Sequence, residues 1–188
     1  MSSAHSDKEI ISGILKFWFE DISPESWFKK DIAFDDQLKQ RFGSLVEQAL
    51  AGQLDKWADH GEGRLALILL LDQMTRNIYR DTPKAFAGDD MACALSLRSV
   101  AEGHLEAEDD INKRHFLLMP MMHSEDIHIQ KQSLPLFKTF TMPMTYDYAV
   151  KHHDIVERFD RFPHRNSILG RPSTDEESEF LKQPGSSF

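Results

Sequence analysis

Apolar residues recur at intervals of three and four positions along most of the chain, as they do on the buried face of an α-helix. Near the start of the chain, one such face consists of Ile10, Ile14, Phe17 and Trp18. No stretch has the alternation of apolar and polar residues between hairpin turns that is typical of β-strands. The pattern therefore predicts an all-α protein.

The periodicity and the positions of proline and glycine predict a single-domain bundle of about seven to eight helices, stacked as antiparallel pairs. The longer helices are expected at residues 7–20, 34–51, 63–79, 89–102, 110–122, 125–140 and 144–161, and a short last helix in the sequence STDEESEFL. All of residues 1–188 are expected to form one domain, with a core at about residues 7–183 and a frayed tail at 184–188.

Some helix ends carry residue types that stabilise a terminus. Ser124 is predicted to cap the helix that begins at Glu125. Ser173 and Glu176 have the spacing of a capping box for the last helix. Pro135 is expected to kink the helix that contains it.

The composition limits the partners. A formal net charge of −9 argues against nucleic-acid binding, so any anion would need a local pocket. The longest apolar run, LALILLL, is far shorter than the roughly 20 residues of a membrane span. The N-terminal sequence lacks the pattern of a secretory signal, and the lone Cys93, expected to be buried, excludes an intrachain disulfide. These features favour a cytoplasmic protein without a nucleic-acid or membrane partner.

The third predicted helix changes character along its length. It begins with LALILLL, which is apolar on all sides, and continues with DQMTRNIYR. Asp72 and Arg76 share a face of this helix, as do Gln73 and Asn77. Polar groups at the end of a buried helix either form an internal network or bind a ligand, and the sequence leaves both open.

Two further segments carry polar residues at the edge of apolar runs. In MPMMHSED, His123 and Glu125 lie between two helices. In KHHDIVERFDRFPHRNSILGR, His152 is expected next to the buried stripe and His153 nearer solvent, and Asp154 is expected to pair with Arg158. The exit of this helix adds Arg161, His164, Arg165 and Asn166. This exit is either a loop held by structural bonds or a pocket for an anion or carboxylate, for which arginine has suitable donors.

The motifs FWFED, GRLALILLLDQMTRNIYRDTPKAFAGDD, MPMMHSED and RFDRFPHRNSILGRPSTDEESEFL occur in an order that resembles the bacterial domain-of-unknown-function family 924. The resemblance covers about residues 14–181 and implies an all-α, tetratricopeptide-like fold, but no activity. The family pattern has polar residues that match Asp72, Gln73, Arg76, Asn77, His123, Ser124, Glu125, His152, Arg158, Arg161, His164, Arg165 and Asn166.

The chain departs from this family pattern at two places. The family has Phe-Pro where this chain has Met74-Thr75, which implies a more regular third helix here. It has Gly where this chain has Asp160, which would add a carboxylate beside Arg161 and reduce the positive charge of the pocket.

Three functions remain open. The first is a binding protein for a small anionic or carboxylate-bearing ligand or peptide, held by Asp72, Gln73, Arg76, Asn77, Arg158, Arg161, Arg165 and Asn166. The second is a metal-independent hydrolase at the same pocket, with acid and base groups among His123, Glu125, His152 and His164. The third is a scaffold or a homodimer, with Trp27 or Trp57 exposed at the contact.

No cofactor and no metal site are expected, because the sequence has neither an H-E-x-x-H motif nor a set of Cys and His ligands. Whether the protein is an enzyme is left undecided by the sequence.

Overall fold

A computed structural model describes residues 3–187, with side chains from residue 7, and within this range it contains helices, turns and loops but no strand. The predicted all-α fold is thus confirmed. The α-helices are α1 (Ser3–Lys16), α2 (Ile32–Leu50), α3 (Gly61–Ile68), α4 (Thr75–Ile78), α5 (Asp89–Ala101), α6 (His104–Ala107), α7 (Ile111–Met122), α8 (Ile127–Phe140), α9 (Pro143–Phe159), α10 (Asn166–Leu169) and α11 (Asp175–Phe180).

Two helices that the sequence predicts as regular contain π-helical turns. One π-helical turn, Phe17–Asp21, extends α1, and the other, Leu69–Met74, joins α3 to α4. The expectation of a more regular third helix is therefore wrong. The short helix α6 was not predicted, because a glycine such as Gly103 usually ends a helix. Gly103 has a φ of 74° and directly precedes α6.

Local side-chain chemistry moves several predicted helix ends by one or two residues. Asp126, not Ser124, caps α8, and its carboxylate accepts from the backbone N–H of His128 at 2.8 Å. The capping box of α11 is formed by Thr174 and Glu177. In both places the capping oxygen belongs to a residue one or two positions away from the predicted serine. The helix end is still capped by a side-chain oxygen that accepts from a backbone N–H, as predicted.

The apolar run LALILLL forms the centre of the core. Its residues, 65–71, are buried on all sides, and α3 packs against α1, α5 and α7. The π-helical turn Leu69–Met74 packs against α2 and α5. A smaller apolar cluster around Val156 and Phe162 lies below the end of α9. No helix in the described range is both long and apolar enough to cross a bilayer.

The aromatic residues proposed for a contact between subunits are not on the surface. Trp27 is 7% exposed and Trp57 is 4% exposed, so the expectation that they form an exposed contact is wrong. Cys93 is buried, as predicted. The tail at residues 184–188 was predicted to be frayed. Phe188 lies outside the described residues, and the Ser186 hydroxyl donates a hydrogen bond to the Leu181 carbonyl at 3.1 Å.

A close backbone contact fixes the start of α5 against the π-helical turn. A Cβ atom at Gly88 would lie 2.3 Å from the carbonyl oxygen of Leu71 and 3.0 Å from its Cα. Only glycine permits this approach, because backbone atoms cannot move aside as a flexible side chain can. The contact brings Asp89, the next residue, close to Asp72 and Arg76.

Gly88→Ala is therefore expected to lower the free energy of unfolding by about 2–4 kcal/mol, the range typical of steric overlap in a packed interior. Urea unfolding followed by circular dichroism measures the change. Gly13→Ala is the matched control, because a Cβ at Gly13 meets nothing within 4 Å and alanine favours a helix. Equal stabilities for the two variants would contradict the proposed role of Gly88.

Candidate functional site

A cleft of about 280 Å³ opens where the turn before α5, the turn between α7 and α8, and α10 come together. Its lining comprises Pro83, Phe86, Ala87, Asp89, Asp90, Cys93, His123, Ser124, Glu125, Arg165 and Leu169. A shallower concavity runs along α1, but its lining residues all come from that single helix. The cleft is the stronger candidate because it gathers residues from four parts of the chain.

The π-helical turn places Asp72 behind the cleft, where its side chain is fully buried. Nδ1 of His123 lies 2.7 Å from Oδ1 of Asp72. Gln73 donates from Nε2 to the other oxygen, Oδ2, at 2.6 Å, and Nη1 of Arg76 lies 3.0 Å from Oδ1. The carboxylate is therefore fully satisfied, and His123 is its only partner that also lines the cleft.

The protonation of this pair follows from burial and charge. Burial alone would raise the pKa of Asp72, but Arg76 and His123 outweigh it and hold that pKa well below its usual value. Burial lowers the pKa of His123, and Arg76 adds to this effect against the opposing charge of Asp72. We assign an ionised Asp72 that accepts a hydrogen bond from Nδ1–H of a neutral His123 ring.

Asp89, at the start of α5, joins two arginines. Arg76 donates to both of its oxygens, at 2.8 and 3.0 Å, and Arg165 donates to Oδ2 at 3.0 Å. Arg165 also donates to the backbone carbonyl of His123 at 2.9 Å and stacks on the ring of Phe86. Burial, reinforced by the charge of Arg76, lowers the pKa of Arg165 to about 10.

Glu125 forms the opposite wall and is held by three donors. Arg171 donates to its two oxygens at 2.7 and 2.9 Å, and the backbone N–H of Phe162 donates at 2.7 Å. Burial alone would raise the pKa of Glu125, but these hydrogen bonds outweigh it and lower the pKa. Glu125 is thus an ionised residue that fastens the exit of α9 to the α7–α8 turn.

Two more of the predicted histidines lie behind His123, outside the lining of the cleft. The rings of His123 and His152 are 6.2 Å apart, and Nδ1 of His152 donates to the Tyr148 carbonyl at 2.7 Å. Burial, followed by the positive charge that His123 would carry if protonated, lowers the pKa of His152 to about 3. Burial and the charge of Arg165 lower the pKa of His164 to about 4. Both rings are therefore neutral at pH 7.

The remaining predicted site residues lie away from the cleft in structural contacts. Asn77 donates to Asp35 at 2.8 Å and thereby connects α4 to α2. Arg158 pairs with Glu176, Arg161 makes two hydrogen bonds to Glu177, and Asn166 bonds Ser173 and Arg171. These contacts hold α11 against the exit of α9.

Two sequence-based expectations about α9 are wrong. Arg158 pairs with Glu176, and Asp154 lies instead 3.1 Å from Nδ1 of His153. His153, expected near solvent, is buried, with 8% of its surface exposed. Asp160 ends α9 with a φ of 55°, a left-handed conformation that glycine adopts without strain.

Sequence reasoning missed four residues of the site, namely Phe86, Asp89, Asp90 and Arg171. Asp89 follows a glycine at the start of a helix, where an acidic residue is usually attributed to the helix dipole. Arg171 lies beyond Gly170, at a distance of 46 residues from its partner Glu125. A pairing over that distance leaves no periodic signal in a single sequence.

Over the part of the chain that the structure describes, the lining of the cleft contains neither an ionised thiol nor a group of three metal ligands. Burial and the charge of Asp90 raise the pKa of Cys93 to about 11, so this residue remains a thiol at pH 7. Among the described residues, the one group that could hold a metal ion is His153, Asp154 and Glu157 on α9. This group is outside the cleft, and Lys131 already lies 3.1 Å from Glu157.

Comparison with known proteins supports the resemblance seen in the sequence. The family described as "Bacterial protein of unknown function (DUF924)" matches residues 14–185. A solved structure, that of the protein of unknown function ATU0120 from Agrobacterium tumefaciens, is similar over 93% of this chain and 98% of the other, with 38% identity and a TM-score of 0.87. No curated protein matches the chain.

Asp72→Asn is expected to lower the free energy of unfolding by about 3 kcal/mol, because it removes the charge that balances a buried arginine and places an NH2 group against at least one of the three donors that the carboxylate satisfied. Chemical unfolding at pH 7 measures this loss. Asp59→Asn is the control, since Asp59 is mostly exposed and its ion pair with Arg98 is long at 3.7 Å. A loss below about 1 kcal/mol at Asp72 would contradict its assignment as an ionised group.

The buried histidines are expected to make stability fall with acidification. Their pKa values are lowered in the folded state, so the unfolded state binds protons first once the pH drops below about 6.5. His152→Asn keeps a donor for Tyr148 and is expected to reduce the loss of stability between pH 7 and pH 5 by about 2 kcal/mol.

Urea unfolding at both pH values provides the comparison. His128→Asn is the control, because His128 is exposed on α8. If the His152 variant retained the pH dependence of the unmodified protein, the neutral assignment of this ring would be wrong.

Proposed function

We propose that this chain, which belongs to the bacterial DUF924 family, binds a small polar molecule in the cleft and uses the Asp72–His123 pair as a general base. The concrete reaction class is metal-independent hydrolysis, in which His123 removes a proton from water as the water oxygen attacks the substrate and then returns that proton to the leaving group as the bond to it breaks. The observation that carries the proposal is the 2.7 Å contact between Nδ1 of His123 and a fully buried Asp72 at the wall of an open cleft.

The direction of this hydrogen bond decides what His123 can do. Because Nδ1–H donates to Asp72, Nε2 is the basic nitrogen of the ring. Nε2 makes no hydrogen bond to any residue that the structure describes. A neutral imidazole with a lowered pKa is in the form that accepts a proton at pH 7.

The surroundings hold the pair from both sides. Gln73 and Arg76 fix the carboxylate of Asp72, and Arg165 fixes the backbone of His123 through its carbonyl. Groups outside the reacting pair that orient a base in this way keep the cost of reorganisation low when the proton moves.

The other predicted acid and base groups have different roles in this proposal. Glu125 is ionised and held by Arg171, so it contributes shape and charge to the wall of the cleft. His152 and His164 lie behind the lining and keep the surroundings of His123 neutral. One base is enough for water activation, and the oxygen that develops charge would be stabilised by donors of the bound molecule or of Ser124.

The ligand predicted from the sequence, a small anionic or carboxylate-bearing molecule or peptide, gains no support from the arginines. Arg76 and Arg165 are paired with Asp89, and Arg161 is paired with Glu177. A second anion would have to displace these carboxylates. The chemistry of the bound molecule therefore follows from other groups of the cleft.

Binding without turnover is the second candidate. The cleft has an apolar side formed by Pro83, Phe86 and Leu169, and it lacks an activated nucleophile because Cys93 is a thiol. A site of this kind can hold a ligand without breaking a bond. Thermal stabilisation by a ligand without product formation would favour this candidate over the hydrolase.

The test is a panel of ester, amide and phosphoester substrates assayed with a chelator present. His123→Asn keeps an N–H donor for Asp72 but has no basic nitrogen, so the rate on any accepted substrate is expected to fall by about 10²- to 10⁴-fold. His128→Asn is the matched control on an exposed histidine. Circular dichroism establishes that each variant is folded.

Unchanged turnover in the His123 variant would overturn the role of His123 as the base. If no member of the panel is hydrolysed and no small molecule raises the melting temperature, both candidate functions are wrong and a scaffold is favoured.

A further inference from the structure

We infer that the cleft recognises a small molecule that carries a protonated amine, and that the carboxylate of Asp90 holds this amine. The inference rests on the proposed function and names the chemical class of the ligand. It is carried by the hydrogen-bonding capacity that remains in the cleft after all internal contacts have been made.

The cationic groups around the cleft have little capacity left. Arg76 makes hydrogen bonds to Asp89 and to the backbone carbonyl of Asp72. Arg171 is bound to both oxygens of Glu125 and to the Phe162 carbonyl. Arg165 donates to Asp89 and His123, and its Nε–H is buried without a hydrogen-bond partner. The whole side chain is 6% exposed, so its other N–H groups are also poorly accessible to a ligand. An anionic ligand would therefore find few donors.

Acceptors, in contrast, remain available. Asp90 lines the cleft, is exposed, and has neither a hydrogen bond nor an ion pair with another residue in the described range. Nε2 of His123 is likewise available as an acceptor. A cleft with spare acceptors and few spare donors selects a ligand that brings N–H groups.

The balance of charge points in the same direction. The group formed by the cleft and its supporting residues has four carboxylates, those of Asp72, Asp89, Asp90 and Glu125, and three guanidinium groups, those of Arg76, Arg165 and Arg171. Asp90 is the carboxylate without a cationic partner. A ligand with a single positive charge would complete the balance, and the net charge of −9 would attract it over a longer range.

The position of Asp90 defines the rest of the ligand. Asp90 lies near Cys93, whose pKa it raises, on the first turn of α5. Pro83, Phe86 and Leu169 provide an apolar lining in the same cleft. A volume of about 280 Å³ is small for a ligand site, so the amine is attached to a short apolar chain.

The first turn of α5 gives a competing account of Asp90, because an acidic residue there stabilises the helix dipole. The two roles differ in what they affect. The dipole role concerns stability alone, whereas the recognition role concerns the affinity for one class of ligand. The experiment therefore measures binding in variants that remain folded.

Three probes of equal length differ only in their end group, namely pentylamine, 1-pentanol and pentanoate. Each is titrated into the unmodified protein, Asp90→Asn and Asp109→Asn, with binding followed by NMR shifts of backbone amides. Asp109 is exposed and lies outside the cleft, so its variant has the same loss of charge. A separate titration at high salt detects binding by net charge alone.

We expect pentylamine to shift the amides of Asp90, Cys93 and His123 and to bind at least tenfold more tightly than the other two probes. Asp90→Asn is expected to weaken this binding at least tenfold, and Asp109→Asn to leave it unchanged.

Equal affinity of pentylamine for both variants overturns the inference, as does a preference for pentanoate at the same amides. Binding of 1-pentanol or pentanoate in the cleft, lost in His123→Asn, would overturn the amine assignment while leaving the proposed function intact. If no probe shifts the amides of the cleft, the inference is wrong, and the hydrolase panel decides the proposed function separately.

Discussion

The carboxylate of Asp72 is fully buried, and a buried charge is stable only when hydrogen bonds and opposite charges replace the water it has lost. Gln73, Arg76 and His123 supply these hydrogen bonds and charges. Two of them also connect Asp72 to other segments of the chain. Arg76 brings in Asp89 and the start of α5, and His123 brings in the turn between α7 and α8. The cleft exists because these segments meet around one charge.

The π-helical turn Leu69–Met74 makes this meeting geometrically feasible. A π-helical turn has more residues than an α-helical turn, so the helix face that follows is rotated relative to the face before it. The π-helical turn begins at Leu69, inside the apolar run, and the polar residues Asp72 and Gln73 that follow lie in the interior. Residues from α7 and the turn after it reach them there. Of Asp72 and its three partners, His123 is the one that lines the cleft, and this makes a structural network useful as a site.

The fold could be predicted from the sequence because the interval between apolar residues is a local property of the chain. Asp72 and His123 could be identified singly, since each is a polar residue at the edge of an apolar run. Their pairing could not, because 51 residues separate them. The same holds for Arg165, whose guanidinium group was expected to bind an anionic ligand and is instead bound to Asp89, 76 residues away. A single sequence indicates which groups need partners, but the packing decides which partners they find.

The exit of α9 gives the cleft an unusual dependence on the order of synthesis. Arg165 and Leu169 line the cleft, and Arg171 holds Glu125, so its last wall comes from a segment translated well after the residues around Asp72. While the ribosome is still making that segment, α1, α2, α3 and α5 can already contact one another, since α3 packs on α1 and α5 and the π-helical turn packs on α2. Asp72 and Asp89 would then remain hydrated in the nascent chain until α7 and the exit of α9 emerge. The polar centre of the protein would thus be the last part of the core to lose its water.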